Sequence, residues 1–210
     1  MAFRKLPRSF YLQPTLKIAA QLPGKYLIRR LGKEKLVGRI VEVEAYLGSH
    51  DPASHAFRGK TRRNEVMFRT GGHAYVYFTY GMHFCFNIVT EQEGIGHAVL
   101  LRAIEPLQGV GVMQRHRRRG HAENSLVDLC NGPAKLCQAY GIARAQNGTD
   151  LCGTEIWIAE DTPGHQGMTV ARSTRIGISV GLEHKWRFYL SNCPFVSRGK
   201  PVSPQHGNTA

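Results

Sequence analysis

The stretch Gly38–Tyr46, G-R-I-V-E-V-E-A-Y, predicts a β-strand because β-branched residues dominate it. Side chains of a strand alternate between its two faces. The alternation predicts one face formed by Val41, Val43 and Ala45, and a second formed by Ile40, Glu42, Glu44 and Tyr46. Carboxylates on alternate positions indicate a face that meets solvent or a reactive cavity. Taken alone, the stretch favours an edge strand with a solvated acidic face.

Turn-forming residues separate this stretch from further segments with strand or helix patterns. Strands are predicted at 26–31, 36–46, 73–80, 83–90, 98–104, 155–159, 174–180 and 186–191, with Glu105-Pro106 closing the strand at 98–104. Helices are predicted from Pro14, within 107–125 and from Gly132. The pattern predicts one α/β domain over residues 1–210, with a core at about 16–196, loose termini and a mixed or antiparallel sheet.

The charge balance indicates a polyanionic partner. Lysine and arginine total 28 against 15 acidic residues, so the formal net charge is +13. An excess of this size is typical of proteins that bind nucleic acid. An anionic membrane is the competing partner, but the sequence has no basic amphipathic helix and no long apolar stretch. Nucleic acid is therefore the predicted partner, with no membrane association.

Cysteine and histidine spacing gives no support for a metal or a cofactor. The five cysteines are an odd number without a C-x-x-C pair, which predicts reduced and mostly buried thiols in a reducing compartment. The ten histidines form neither H-x-H nor H-E-x-x-H, so no metal is expected. The segment Met1–Arg8 is basic but has no apolar core behind it, so it is not a secretory signal. A cytoplasmic location is expected.

Residues 74–87 concentrate three tyrosines and three phenylalanines around the turn Gly81-Met82, and they predict a hairpin. A tyrosine has an apolar ring and a polar hydroxyl, so it suits a half-buried position. One interpretation is a core hairpin whose hydroxyl groups point outward. The other is a surface on which bases stack, or a wedge that enters a duplex. Spacing alone favours neither.

Several basic residues are candidates for phosphate contacts. Arg62-Arg63 follows a polar loop, 115–119 carries four arginines, and Lys135 lies beside a predicted helix N-terminus. Taken singly, each arginine segment more often marks a solvated surface than a contact, but the net charge of +13 favours a phosphate contact for at least one of them. For Lys135 an ordinary surface lysine is favoured. Arg102 is different because it interrupts an apolar strand, and a buried arginine needs an acidic partner. We expect that partner to be Glu44; an exposed strand arginine is the alternative.

Five motifs in the same order resemble the alkyladenine (3-methyladenine) DNA glycosylase family, and Arg187-Phe188-Tyr189 extends the likeness to nearly the whole chain, about residues 16–196. They are G-R-I-V-E-x-E-A-Y from Gly38, R-N-x-x-M-F from Arg63, Y-V-Y-x-x-Y-G-M-x-F-C-x-N-I from Tyr75, L-L-R-A-x-E-P from Leu100 and G-P-x-K-L-C-Q-A from Gly132. The resemblance implies a single domain with a curved, mainly antiparallel sheet and surrounding helices. It also implies a monomeric, monofunctional enzyme that excises alkylated or deaminated purines from double-stranded DNA.

The resemblance further implies roles for individual residues. Glu44 would be the general base that activates water, and Arg102 would help to position that water. Tyr46, Ala53, His55 and Tyr77 would line the pocket around the flipped purine, and Asn87 would exclude normal guanine from it. Tyr80 would fill the gap in the base stack, with Met82 as a wedge nearby.

The chain departs from the vertebrate pattern at His83, where those enzymes have tyrosine, and in the composition of the loop 48–60. These departures leave the wedge and the substrate range open. Two other functions also remain to be distinguished. One is a non-catalytic nucleic-acid binding module, for which Glu44 would have no use. The other is a hydrolase of free nucleosides, for which the basic surface would have no use.

Overall fold

The long strand β3 (Glu34–Leu47) lies in the middle of the sheet in the computed structural model, which describes residues 3–117, 125–161 and 167–199. Its first half pairs with β2 (Tyr26–Leu31), and residues 42–44 pair with β9 (Arg187–Leu190) on the same side. On the other side, β3 pairs along most of its length with β6 (His97–Gln108). The acidic segment of β3 is therefore flanked by strands on both sides.

The remaining described elements complete an antiparallel sheet with helices packed on it. The other strands are β1 (Phe3–Lys5), β4 (Ala74–Thr79), β5 (His83–Thr90), β7 (Ile156–Asp161) and β8 (Val170–Ser173). The order is β1-β7-β2-β3-β6-β5-β4, with β9 beside β3 and β8 beside β9. The helices are α1 (Arg8–Tyr11), α2 (Thr15–Gln21), α3 (Val110–Arg117) and α4 (Pro133–Tyr140). Short 3₁₀ turns lie at Gly48–His50, Glu65–Phe68 and Arg144–Gln146.

The main core lies between the sheet and the helices. Val43, Ala45 and Leu101 from the sheet pack in one buried cluster with Ile18 of α2 and Leu136 of α4. Side chains next to these in the strands point to the opposite face, because successive residues of a strand alternate. Glu42, Glu44 and Tyr46 of β3 and Tyr75 and Tyr77 of β4 lie on that opposite face, away from the helices. The predicted α/β class with a mainly antiparallel sheet is confirmed.

The predicted face alternation is correct from residue 42 onward but wrong before it. Ile40 packs in the main core with Val43, whereas Val41 packs in a separate cluster with Ala103 and Leu190. The register of β3 against β6 shifts at three points, one between Val37 and Gly38 and one on either side of Glu42. The two shifts beside Glu42 leave Val41 and Arg102 without a partner in the ladder. Such a β-bulge inserts one residue and reverses the faces on either side of it.

One predicted strand and one predicted strand boundary are also wrong. No strand covers 174–180 in the described chain; the nearest strand, β8, ends at Ser173, and residues 174–181 form a loop. Strand β6 does not stop at Glu105-Pro106 but continues to Gln108. The proline is tolerated because β5 pairs with β6 only at residues 97–100, so its missing N–H breaks no ladder there.

The five cysteines are free thiols, and Cys85, Cys130 and Cys137 are buried, as expected. Among the described residues, no helix is long and apolar enough to cross a lipid bilayer. Arg118 and Arg119 of the predicted basic run lie outside the described residues, as do positions 1–2 and 200–210 of the predicted loose termini.

Candidate active site

Glu44 is fully buried, and its carboxylate accepts three hydrogen bonds. The backbone N–H of Ile176 donates to Oε1 at 2.7 Å. The Tyr46 hydroxyl donates to Oε2 at 2.9 Å, and Nη1 of Arg102 donates to the same oxygen at 3.3 Å. The expected pairing of Arg102 with Glu44 is confirmed.

These surroundings act on the pKa of Glu44 in opposite directions. Burial raises the pKa because it disfavours the charged carboxylate. The Arg102 guanidinium, the Ile176 amide and the Tyr46 hydroxyl oppose this rise by stabilising the ionised form. A carboxylate with a raised pKa is a stronger proton acceptor once ionised, which is the property that a general base needs.

Glu42 lies beside Glu44 and binds four donors. Its carboxylate accepts bonds from Nε of Arg102 at 2.9 Å and from Nε of Arg187 at 2.6 Å. The backbone N–H and the hydroxyl of Ser197 donate to it at 2.7 and 2.9 Å. Both carboxylates are fully buried, so the interpretation of a solvated acidic face is wrong. The loop 174–181 and the segment after β9 cover this face, since Ile176 donates to Glu44 and Ser197 donates to Glu42. Sequence periodicity does not predict that cover.

A cavity of about 200 Å³ opens beside this buried cluster. It is smaller than the roughly 300–1,000 Å³ of sites for drug-sized ligands, which suits a ligand of nucleobase size. The structure brings six predicted residues together in its wall: Tyr46, Ala53, His55, Tyr77, Tyr80 and Asn87. Met67, Tyr75, Thr79, Gly177 and Ile178 also line it, and the sequence analysis did not identify them. Glu44 lies behind this wall, joined to it by the Tyr46 hydroxyl.

The pocket wall consists largely of neutral aromatic rings. The ring of His55 meets the ring of Tyr77 edge-on, with centroids 4.4 Å apart, and its Nδ1 lies 3.0 Å from the Tyr75 hydroxyl. His55 is exposed as a residue, but the packing of its ring removes solvent from the imidazole. This loss of solvent lowers the pKa of His55, and the positive charge of Arg63 lowers it further. Burial raises the pKa of Tyr75 to about 12 and that of Tyr77 further, so the rings carry no charge at neutral pH.

Asn87 is held in the pocket wall by a hydrogen bond to the backbone. It lies on β5 opposite Tyr75 of β4, and its Nδ2 donates to the Tyr75 carbonyl at 3.1 Å. Only 5% of the residue is exposed. The side-chain amide is therefore fixed in position before any ligand enters.

The hairpin of β4 and β5 serves both as core and as surface. Val76 and Phe86 pack in the main core. The tip is exposed, with 83% of Tyr80 and 70% of Met82 accessible to solvent. Tyr80 has a left-handed backbone, with φ of 50°. A large aromatic ring at an exposed, conformationally unusual position is compatible with the predicted wedge.

Basic residues lie in two grooves beside the hairpin. Arg62, Arg63 and Arg144 line a groove of about 580 Å³ on one side. Arg115 and His116 line a groove of about 600 Å³ that includes Met82. Other predicted basic positions are less free: Lys135 donates to Asn131 at 2.8 Å and lies 3.6 Å from Asp128.

Asp51 and Arg175 form a buried ion pair next to the pocket, and the sequence analysis missed both. The two Nη atoms of Arg175 lie 2.5 and 2.8 Å from the two carboxylate oxygens of Asp51. Both side chains are fully buried. The residues are 124 positions apart, and Arg175 falls in the segment predicted as a strand, so no local pattern indicates the pair.

In the described parts of the chain, no group of three or more histidine, cysteine or acidic side chains could hold a metal ion. The site places the carboxylate of Glu44 and the paired Arg102 behind an aromatic pocket.

Comparison with known proteins gives one consistent family. The family model described as Methylpurine-DNA glycosylase (MPG) matches residues 9–194. A protein of Alkaliphilus oremlandii is 44% identical over 202 residues, covering 92% of this chain and 99% of the relative. Proteins of Chlorobium luteolum and Carboxydothermus hydrogenoformans are 46% and 48% identical, covering 94% and 92% of this chain and 98% of each relative. All three bear the name "Putative 3-methyladenine DNA glycosylase". The chain belongs to the methylpurine-DNA glycosylase family of DNA repair enzymes, which hydrolyse N-glycosyl bonds.

Proposed function

We propose that the protein rotates an alkylated or deaminated purine out of double-stranded DNA into the aromatic pocket and hydrolyses its N-glycosidic bond, leaving an abasic site. Water activated by Glu44 is the nucleophile. One observation carries the proposal: Tyr46 forms part of the pocket wall, and its hydroxyl donates to the carboxylate of Glu44 at 2.9 Å. A ligand held against Tyr46 is thereby placed beside the carboxylate of Glu44.

Extrusion of the base requires compensation, since unstacking and unpairing cost a few kcal/mol, least for a damaged pair. Tyr80 supplies an exposed ring at the pocket mouth that restores stacking in the vacated position. Met82 lies at the same tip and acts as a second apolar wedge.

The wall favours cationic purines. N-alkylated purines such as 3-methyladenine and 7-methylguanine carry positive charge, and aromatic faces attract a cation. His55 supports this selection because its lowered pKa keeps it neutral, so it does not repel the substrate. The amide of Asn87 excludes normal guanine by crowding its exocyclic amino group. Hypoxanthine and ethenoadenine belong to the proposed substrate range as neutral lesions.

Glu44 takes a proton from water as the water oxygen bonds to C1′ of the sugar, and the C1′–N bond breaks with its electrons leaving on the base. An alkylated base already withdraws electrons, so one carboxylate is sufficient, whereas ordinary glycoside hydrolysis uses two. Arg102 keeps the carboxylate of Glu44 ionised and helps to place the water. Because Glu44 has no exposed surface, water reaches it only after a small displacement of a neighbouring wall residue. The described pocket wall contains no lysine, which favours hydrolysis over Schiff-base chemistry.

The rest of the surface fits a duplex partner. Arg62 and Arg63 are exposed beside the hairpin and are proposed to bind DNA phosphates, with Lys135 as a weaker candidate because Asp128 already pairs with it. We propose that the enzyme works as a monomer on nucleoid DNA in the cytoplasm.

Release of 3-methyladenine from alkylated duplex DNA under single-turnover conditions tests the proposal. Wild-type protein should release the free base. In Glu44→Gln the rate of release should fall by at least about 10³-fold, while the variant still binds the same duplex. Glu105→Gln is the matched control, since Glu105 is ion-paired with Arg39 and does not line the pocket. An unchanged rate in Glu44→Gln would refute the mechanism, and tight DNA binding without release by the wild type would favour a binding module.

A further inference from the structure

Arg175 connects three parts of the chain around the candidate site. Besides the two bonds to Asp51, its Nη1 donates to the carbonyl of Ala45 at 3.0 Å. Asp51 also accepts from the backbone N–H groups of Leu47 and Ala53 at 3.3 and 3.1 Å. The ion pair thus ties the end of β3 and the segment after it to the loop 174–181.

The same guanidinium packs on the aromatic wall. Its central carbon lies 4.6 Å from the ring centroid of Tyr46 and 5.1 Å from that of Trp186. The His184 ring stacks on Trp186 at 3.8 Å with an interplanar angle of 5°. Arg175 therefore fixes the ring of Tyr46, the residue that contacts both the pocket and Glu44.

The residues that follow Arg175 reach the site directly. The N–H of Ile176 donates to Oε1 of Glu44 at 2.7 Å, and Gly177 and Ile178 line the pocket. A shift of Arg175 would move both donors, the Tyr46 hydroxyl and the Ile176 amide, away from the carboxylate.

We propose that Arg175, held by Asp51, is a positioning residue that places the Tyr46 hydroxyl and the Ile176 amide on Glu44. The inference rests on the proposed function of Glu44 as the base. Arg175 acts on catalysis through these two donors and does not touch the substrate. A buried ion pair is by itself weak evidence for a stabilising role. The test therefore measures the protonation of Glu44 and not the stability of the fold.

The pH dependence of excision reports the state of Glu44, because the ionised carboxylate is the active form. A hydrogen bond donated to the ionised carboxylate lowers the pKa of Glu44. Loss of that bond raises this pKa and moves the acidic limb of the rate profile to higher pH. Several other charged or titratable groups surround Glu44 and are left intact in the variants below: Arg102, Glu42, Tyr46, Tyr77, Cys85 and, through Glu42, Arg187.

Ile176→Pro removes the amide hydrogen, whereas Ile176→Ala shortens the side chain and keeps that hydrogen. We expect the acidic limb of single-turnover 3-methyladenine release to move to higher pH by about one unit in Ile176→Pro, with a rate loss of about tenfold on the acidic slope of the profile. Ile176→Ala should keep the wild-type limb. Equal profiles in the two variants would overturn the proposal.

Arg175→Lys keeps the charge opposite Asp51 but loses the two-point contact and the planar stacking on Tyr46. We expect the same upward shift and a rate loss of at least about tenfold, with duplex binding retained. Arg172→Lys is the matched control because Arg172 is exposed, packs on Phe188 at 4.7 Å and does not line the described pocket. A wild-type profile in folded Arg175→Lys would contradict the proposal; if that variant does not melt cooperatively, the Ile176 pair decides.

The design separates this inference from the proposed function. If wild-type protein does not release the base, or if Glu44→Gln is active, the proposed function fails. If wild-type protein is active, Glu44→Gln is inactive and both Ile176→Pro and Arg175→Lys keep the wild-type pH limb, only the positioning role fails.

Discussion

The hydroxyl of Tyr46 lies 2.9 Å from Oε2 of Glu44, and the two residues stand two positions apart on β3. Residues at this spacing point to the same side of a strand. A pocket wall and a buried carboxylate are thereby joined within one element.

Tyr46→Phe removes the hydroxyl and leaves the ring. Glu44 loses one bond that lowers its pKa, so we expect the acidic limb of base release to move to higher pH and the rate on the acidic slope to fall about tenfold. Single-turnover release from alkylated duplex at several pH values measures both effects. Tyr26→Phe is the control, since it also removes a hydroxyl that donates to a carboxylate, that of Asp161, on a distant strand. Identical profiles for wild type and Tyr46→Phe would argue against a link between wall and base.

Tyr80→Ala tests the wedge. Because 83% of Tyr80 is exposed, its removal should leave the melting temperature unchanged. Stacking of a base on an aromatic ring contributes about 1–3 kcal/mol, so excision from duplex DNA should fall by about 5- to 150-fold. Tyr80→Phe keeps the stacking ring and should retain most of the rate. Equal loss in Tyr80→Phe and Tyr80→Ala would indicate a role for the hydroxyl instead.

Glu44→Gln should stabilise the fold in a pH-dependent way. Since the pKa of Glu44 is raised in the folded state, the folded protein binds more protons than the unfolded chain between the ordinary value of 4.5 and the raised value. The free energy of unfolding of the wild-type protein therefore decreases as the pH rises through that window. Urea unfolding at pH 4 to 8 measures the free energy of unfolding of both proteins. The free energy of unfolding of Glu44→Gln minus that of the wild type should increase with pH. A difference independent of pH would contradict the raised pKa.

Glu42→Gln should destabilise the protein. The change removes the charge that binds Arg102 and Arg187 in a buried site, and loss of one member of a buried pair costs about 3–5 kcal/mol. Urea unfolding at pH 7 provides the measurement, with Glu105→Gln as the control for a partly exposed strand glutamate. A loss no larger than that of Glu105→Gln would show that Glu42 is dispensable for the fold.

Arg62→Ala combined with Arg63→Ala tests the proposed phosphate contacts. Each lost contact reduces the slope of log K against log salt by about 0.9, so the slope should decrease by roughly 2. Duplex affinity measured at several salt concentrations provides the slope. Lys33→Ala, an exposed cation in the turn between β2 and β3, should leave it unchanged. A wild-type slope in the double variant would place the phosphate contacts elsewhere.

The fold class and most strands follow from local pattern. Alternation and β-branched residues predicted β2, β3, the β4–β5 hairpin and β9 near their observed places, because these patterns arise from the chain's own geometry. The failures come from contacts between distant segments. The bulge at Val41 and Arg102 and the continuation of β6 through Pro106 depend on what a neighbouring strand pairs with. The loop at 174–181 is held by contacts of Arg175 with Asp51 and of Ile176 with Glu44.

The sequence by itself determined the residue types of the site and the order of the motifs that mark the family, down to Glu44, Tyr46 and Asn87. Tertiary structure alone decided that Glu44 and Glu42 are buried, since β9 and Ser197 arrive from more than 140 positions away. It also decided that Arg175 meets Asp51 and that the Ile176 amide reaches Glu44. A hydrogen bond depends on distances of a few tenths of an ångström, and those are set by packing between distant segments.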